Sequence, residues 1–370
     1  MKKITKNRLD YRILAIAFGF ICSLGAAEQD FVLRSTVRVQ DQVAQGKNPL
    51  LIRSMQGNFH GVVLFSHDGK QIVSGGGESV KVWDAETGTC EQEFSVDGND
   101  AYGGTVSSIA VSSNGLYIAA GLRATVFTHR PGIKIFNTVL GRCEKTLPET
   151  SNDVCALVFS PDGTCLFSGE NTGQIRVWNI ETGEPDMILV GHKSSIRSLA
   201  LSSDGALLVS GADDGLIKIW DTASGECVKT LENGVLVGSV GLSADGEHIV
   251  SCDRYSAIKI WDVGTGVHIR TLDNEHHLYK VLFSPDGTYV LGSGSTSNCI
   301  KIWDVETGQL RKTIGNSNAK TILSLAYSPY GEYIVSVDCG GTITLWKNPL
   351  PPDRSWIWER KFRDLWNFVD

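Results

Sequence analysis

His192, Ser210 and Asp214 are the residue types of a hydrolytic triad: a hydroxyl nucleophile, a base and an orienting carboxylate. That chemistry needs the serine exposed, beside donors for an oxyanion. His276-His277 offers two imidazoles to a metal. Neighbours on an extended segment point to opposite sides, however, and only Glu275 stands near as a further ligand. Asp97-Gly98-Asn99-Asp100 has the residue types of a calcium loop without that loop's spacing. The chain has 9 cysteines but no Cys-x-x-Cys pair, which leaves a zinc site without support. These counts predict no metal, no cofactor and no catalytic residue.

The elements that hold these side chains repeat. Trp-Asp or a degenerate form of it stands at Trp83-Asp84, Phe136-Asn137, Trp178-Asn179, Trp220-Asp221, Trp261-Asp262, Trp303-Asp304 and Trp346-Lys347, at spacings of 53, 42, 42, 41, 42 and 43 residues. A four-residue turn precedes each: SHDG (66–69), SSNG (112–115), SPDG (160–163), SSDG (202–205), SADG (243–246), SPDG (284–287) and SPYG (328–331). A glycine follows the first six, at Gly88, Gly141, Gly183, Gly225, Gly266 and Gly308. Residues 191–221 are the most complete unit. There Ile196, Leu199 and Leu201, then Leu207-Leu208-Val209, then Leu216, Ile217 and Ile219 form short runs split by Gly-rich turns, which read as strands.

A period of roughly 40–45 residues with four strands and a Trp-Asp ending is the signature of a propeller blade. Over roughly residues 49–347 the sequence resembles the WD-repeat family. The expected fold is all-β: one seven-bladed propeller of four-stranded antiparallel blades over 49–350, closed by an N-terminal strand and followed by a short C-terminal helix. The resemblance implies a hydrogen-bonded tetrad of His192, Ser210, Asp214 and Trp220 inside the fourth blade. This reading consumes the triad residues. Ser168, Ser251, Ser293 and Ser336 are expected to keep the Ser position, and Thr172, Tyr255, Ser297 and Gly340 to replace the Asp, leaving the other blades to rely on packing.

Ring closure has its own sequence signal. Residues 50–54, LLIRS, read as a strand, while Pro349, Pro351 and Pro352 follow Trp346 where a fourth strand should begin. The N-terminal strand is therefore expected to complete the seventh blade.

Lys2, Lys3, Lys6, Arg8 and Arg12 precede an apolar stretch from Ile13 to Ile21 and small residues at Gly25, Ala26 and Ala27. That is the pattern of a secretory leader, expected to be residues 1–27, with membrane anchoring through residues 13–27 as the alternative. Residues 28–48 read as a linker. The whole chain has 34 basic and 41 acidic side chains, a net charge of −7, and no basic stripe, which argues against nucleic acid as a partner. Cys90, Cys143 and Cys227 occupy one slot in three units, and the cysteines are expected to be small buried apolar residues. In the tail (351–370), Trp358, Phe362, Leu365, Trp366 and Val369 fall on one stripe of a helix, with membrane-surface contact as one possible use.

The second unit departs from the others. Insertions lie at 95–104 and 122–132, its Trp slot holds Phe136, and its Asp slot holds Arg130. Both insertions belong to connections that emerge on one face of a blade. That face is the expected binding site for an unknown protein, carrying Tyr102, Arg123, Phe127, His129 and Arg130, with Asn171, Arg254, Tyr255, His276 and His277 around the rim. The expected function is a non-enzymatic, exported interaction scaffold. The rivals are a periplasmic propeller enzyme of quinoprotein or lactonase kind, and a small-ligand or glycan-binding module. The phrases WDAETG (83–88) and WDVETG (303–308) resemble the Asp-x-x-Thr-Gly phrase of quinoproteins, but with the Trp before the phrase rather than after it.

Overall fold

The structure is a computed structural model. It describes residues 51–57, 61–96, 104–124, 132–147, 152–253, 257–272, 277–294, 299–315, 320–352 and 356. The leader, the linker and the expected C-terminal helix lie outside the described residues.

The described residues form seven four-stranded antiparallel sheets. Strand β1 (Leu51–Gln56) comes first in the chain. Blade 1 is β2 (Val62–Phe65), β3 (Gln71–Gly76), β4 (Ser79–Asp84) and β5 (Cys90–Ser95). Blade 2 is β6 (Thr105–Val111), β7 (Tyr117–Arg123), β8 (Ile133–Asn137) and β9 (Arg142–Leu147). Blade 3 is β10 (Val154–Phe159), β11 (Cys165–Glu170), β12 (Ile175–Asn179) and β13 (Pro185–Leu189). Blade 4 is β14 (Ile196–Leu201), β15 (Leu207–Ala212), β16 (Leu216–Asp221) and β17 (Cys227–Glu232). Blade 5 is β18 (Val237–Leu242), β19 (His248–Asp253), β20 (Ile258–Asp262) and β21 (His268–Leu272). Blade 6 is β22 (Leu278–Phe283), β23 (Tyr289–Gly294), β24 (Cys299–Asp304) and β25 (Leu310–Gly315). Blade 7 is β26 (Ile322–Tyr327), β27 (Tyr333–Asp338) and β28 (Thr342–Lys347), completed by β1 in the order β1-β28-β27-β26. The N-terminal strand therefore closes the ring, as the prolines after Trp346 require.

The hydrophobic cores lie between blades rather than within them. Val209, Ile217 and Leu231 of blade 4 pack with Val237, Val240 and Trp261 of blade 5. A sheet buried on both faces needs continuous apolar runs rather than alternation. Five of the six residues of β15 are accordingly buried. The outermost strands are mostly exposed instead, with one buried residue near the end, as Leu231 in β17. Neighbouring blades approach closely at the second strand: a Cβ placed on Gly211 would lie 2.5 Å from Val237 Cγ1. The turns need glycine for a different reason. Gly205 has φ 76°, a left-handed conformation that side chains resist, and the matching Gly163 and Gly246 have 73° and 75°.

The cysteine expectation needs correction. Among the described cysteines, only Cys252 and Cys299 are buried, whereas Cys90, Cys143 and Cys227 are exposed. Each of these three sits at the bulge opposite the Trp slot, paired with Trp83, Phe136 and Trp220. The slot is on the outermost strand, whose outer face is solvated. All eight described cysteines are free thiols.

Candidate functional site

In the fourth blade, Asp214 lies in the turn after β15 and His192 in the connection before β14. Ser210 and Trp220 face each other across β15 and β16. His192 Nδ1 is 2.9 Å from Asp214 Oδ2, and His192 Nε2 is 2.8 Å from Ser210 Oγ. Trp220 Nε1 donates to Ser210 Oγ at 2.8 Å. Lys193 N–H also donates to Asp214. Ser210 is fully buried and its hydroxyl already serves two partners, so it cannot attack an external carbonyl. The geometry is that of an internal brace linking a connection, a turn and two strands.

Half of this brace recurs. Indole N–H groups donate to hydroxyls in Trp83–Ser74, Trp178–Ser168, Trp261–Ser251 and Trp346–Ser336, at 2.8–2.9 Å. Packing is thus not the sole support of those blades. In blade 5, Asn233 takes the His slot and accepts from Ser251 Oγ at 3.3 Å. In blade 3 the buried Glu170 replaces the absent Asp: Asn152 Nδ2, Thr172 Oγ1 and Arg176 Nε all donate to its carboxylate.

One slot differs from the sequence reading. Ser293 is not the Ser position of blade 6, because Gly292 pairs with Lys301 as Ser210 pairs with Lys218. Four residues (295–298) separate β23 from β24, against three (213–215) in blade 4, and the local Gly-Ser-Gly-Ser run hides the shift. Ser293 Oγ is left buried without a hydrogen-bond partner. In blade 2, Ala120 takes the Ser slot and Phe136 the Trp slot. Donor and acceptor are lost together, a change that can be nearly neutral because nothing is left unsatisfied. Phe136 stacks on Phe94 of blade 1 instead, with centroids 4.9 Å apart.

The connections between second and third strands share a face with the connections between blades. Asp213 N–H donates to Ser195 carbonyl at 3.0 Å, and Asn233 N–H to Gly215 carbonyl at 3.0 Å. On this face Arg123 is half-buried at the end of β7, and Asn171 and His277 are exposed. Asp153 joins the two blades there: Ala124 N–H donates to its carboxylate at 2.9 Å and Asn171 N–H to its carbonyl at 3.0 Å. Tyr102, Phe127, His129, Arg130, Arg254, Tyr255 and His276 lie outside the described residues. Sequence reading missed Arg197 and Tyr279. A bulge at the head of six of the seven first strands re-aims one residue; in blades 4 and 6 it sets Arg197 in a two-pronged pair with Asp213 and leaves Tyr279 41% exposed. The only sequence sign is a break in alternation at Ile196-Arg197-Ser198-Leu199.

Asp245, Glu247 and His248 bring ligand atoms within 4.8 Å of one another. The Asp245 carboxylate already accepts from Ser243 Oγ and Glu247 N–H, as turn aspartates do.

Repeated blades, paired indoles and hydroxyls, and a closed seven-sheet ring define a β-propeller. The family described as WD domain, G-beta repeat, matches residues 51–84. That described as IFT122 first beta-propeller matches residues 153–349, more than half of the chain. The chain belongs to the WD-repeat β-propeller family. Propellers of this family typically serve as protein-interaction scaffolds.

Proposed function

We propose that this chain is an exported, non-enzymatic platform that binds a protein through the insertion-bearing face of its second blade. One observation carries the reading: nine residues (124–132) separate β7 from β8, whereas three (213–215) separate β15 from β16. The longer connection between β5 and β6 (96–104) emerges on the same face. The described ends of both insertions thus lie on one face of one blade, and such insertions often mark the binding face of repeat proteins. They carry Tyr102, Arg123, Phe127, His129 and Arg130, and aromatic and Arg side chains are enriched at the energetic centres of interfaces. Asn171, Arg254, Tyr255, His276 and His277 extend the surface around the rim. The buried Ser210 supports a binding role over hydrolysis.

The test is affinity capture by residues 28–370 from the native host, with metal and quinone content measured in parallel. A platform yields a partner protein in fixed ratio with the bait. Calcium or quinone in fixed ratio with the chain, and no partner, would favour the enzyme reading instead.

Export rests on the leader pattern of residues 1–27. Removing them leaves 29 basic and 40 acidic side chains, a net charge of −11. N-terminal sequencing from the native host should find the chain beginning after Ala27. An intact Met1 in a cytosolic fraction would end that reading.

A further inference from the structure

The face opposite the proposed binding site carries the turns between first and second strands and between third and fourth strands. Aspartates of these turns accept hydrogen bonds from neighbouring N–H and hydroxyl groups. Those bonds hold Asp162, Asp204 and Asp304 below the usual carboxylate range, so the face stays negatively charged.

Blade 2 interrupts this pattern. Asn114 and Asn137 stand where blades 1, 4, 5 and 6 have Asp in both turns, and the same two turns expose Leu116 (40%), Val139 (74%) and Leu140 (53%). Thr138 N–H donates to Leu116 carbonyl at 3.0 Å, which brings the two turns together. Acidic residues flank this apolar patch: Asp68, Asp84 and Glu86 on blade 1, and Asp162 and Glu181 on blade 3. Adjacency is fixed by Gln92 Nε2, which donates to Thr138 carbonyl at 2.8 Å, and by Lys145 Nζ, which donates to the Ile180 and Glu181 carbonyls.

We infer that residues 356–370 of this chain dock on that patch. The occupant follows from three observations. First, the chain leaves the ring on this face. Asn348 Nδ2 donates to Gly331 carbonyl at 2.7 Å, and Pro352 lies against Gly331 in the blade 7 turn. Second, Trp358, Phe362, Leu365, Trp366 and Val369 repeat at helical spacing and match an apolar surface. Third, the residues off that stripe include Glu359, Arg360, Lys361, Arg363 and Asp364, of which Arg360, Lys361 and Arg363 suit the flanking carboxylates. Reach is sufficient. The 18 residues after Pro352 span about 27 Å as a helix, and two blades at about 10 Å each separate the exit from the patch.

The test uses the full chain. A photo-crosslinking side chain at position 362 should join, within one molecule, to peptides holding Leu116 or Val139-Leu140. In hydrogen exchange, the variant Val139→Asp/Leu140→Asp should speed exchange of residues 356–370 at least tenfold while protection of β6–β9 holds. A variant that loses β6–β9 protection is replaced by Phe362→Asp/Trp366→Asp, which should speed tail exchange equally. Unstructured exchange rates for the parent tail, tail rates unchanged in the variants, or crosslinks to a second copy or another blade would each overturn the assignment.

Discussion

Deleting residues 28–55 should reduce the soluble yield of the protein to nearly nothing. Six of the seven sheets take all four strands from one unit, but the seventh borrows β1 from the other end of the chain. Without it, β28 presents a bare row of N–H and carbonyl groups, a ready template for aggregation. The deletion also removes the buried Met55. Gln56 Nε2 donates to Gly340 carbonyl at 3.1 Å and Gly57 N–H to Gly341 carbonyl at 2.7 Å, contacts that would lose their anchor. Blade 1 would then meet blade 7 through β2 packed on β26 and β27. Expression of the truncated chain beside its parent, followed by thermal unfolding of the soluble fraction, checks this. A truncated ring that is soluble and melts with the parent would show that β1 is dispensable.

Breaking the brace of blade 4 is the second large effect. His192→Ala leaves Asp214 and Ser210 short of a buried partner, at a cost of about 1–3 kcal/mol. Ser210→Ala should lie at the upper end of that range, since it strands both His192 Nε2 and Trp220 Nε1. Blade 2 shows how the cost is relieved, because Ala120 and Phe136 remove acceptor and donor together. Ser210→Ala with Trp220→Phe should therefore cost less than the sum of the two single changes. Chemical denaturation of the four proteins measures this coupling, and simple additivity would contradict the brace.

The same brace makes stability depend on pH. Burial lowers the His192 pKa below 6.5, outweighing the opposing pull of Asp214. The folded state thus prefers the neutral ring, and stability present above about pH 6.5 declines as pH falls through that value. Burial raises the Asp214 carboxyl, but the Lys193 N–H and His192 outweigh it and leave its pKa below 3.8. Its contribution is present above that value and is lost at lower pH. His192→Asn should lack the first decline and keep the second.

The turns and the Trp-Asp period made the ring legible in the sequence, because each depends on local chemistry. A glycine at positive φ and an indole at a fixed distance from a turn do not need the rest of the fold to be recognised. Even the closing strand followed from a local fact, the prolines after Trp346. What depends on register was less visible. Gly292 and Ser293 exchange roles through one extra residue in a turn. Cys90, Cys143 and Cys227 share a slot whose exposure is decided by the outermost strand, not by cysteine's preference for interiors. Glu170 has no counterpart in the repeat pattern, yet it is a fully buried carboxylate with three donors. The candidate site was legible as surplus length, while Arg197 and Tyr279 depend on bulges that shift the strand's alternation.

The insertion-bearing face of blade 2 is the proposed partner site. The most direct measurement compares residues 28–370 with a variant in which 122–132 is shortened to the length of 211–215 and Tyr102 is replaced by Ala. Both are used as bait against the native host's proteins, and the melting temperature of each is recorded. The account predicts that the variant loses the partner while melting within a few degrees of its parent. A variant that keeps the partner would contradict it.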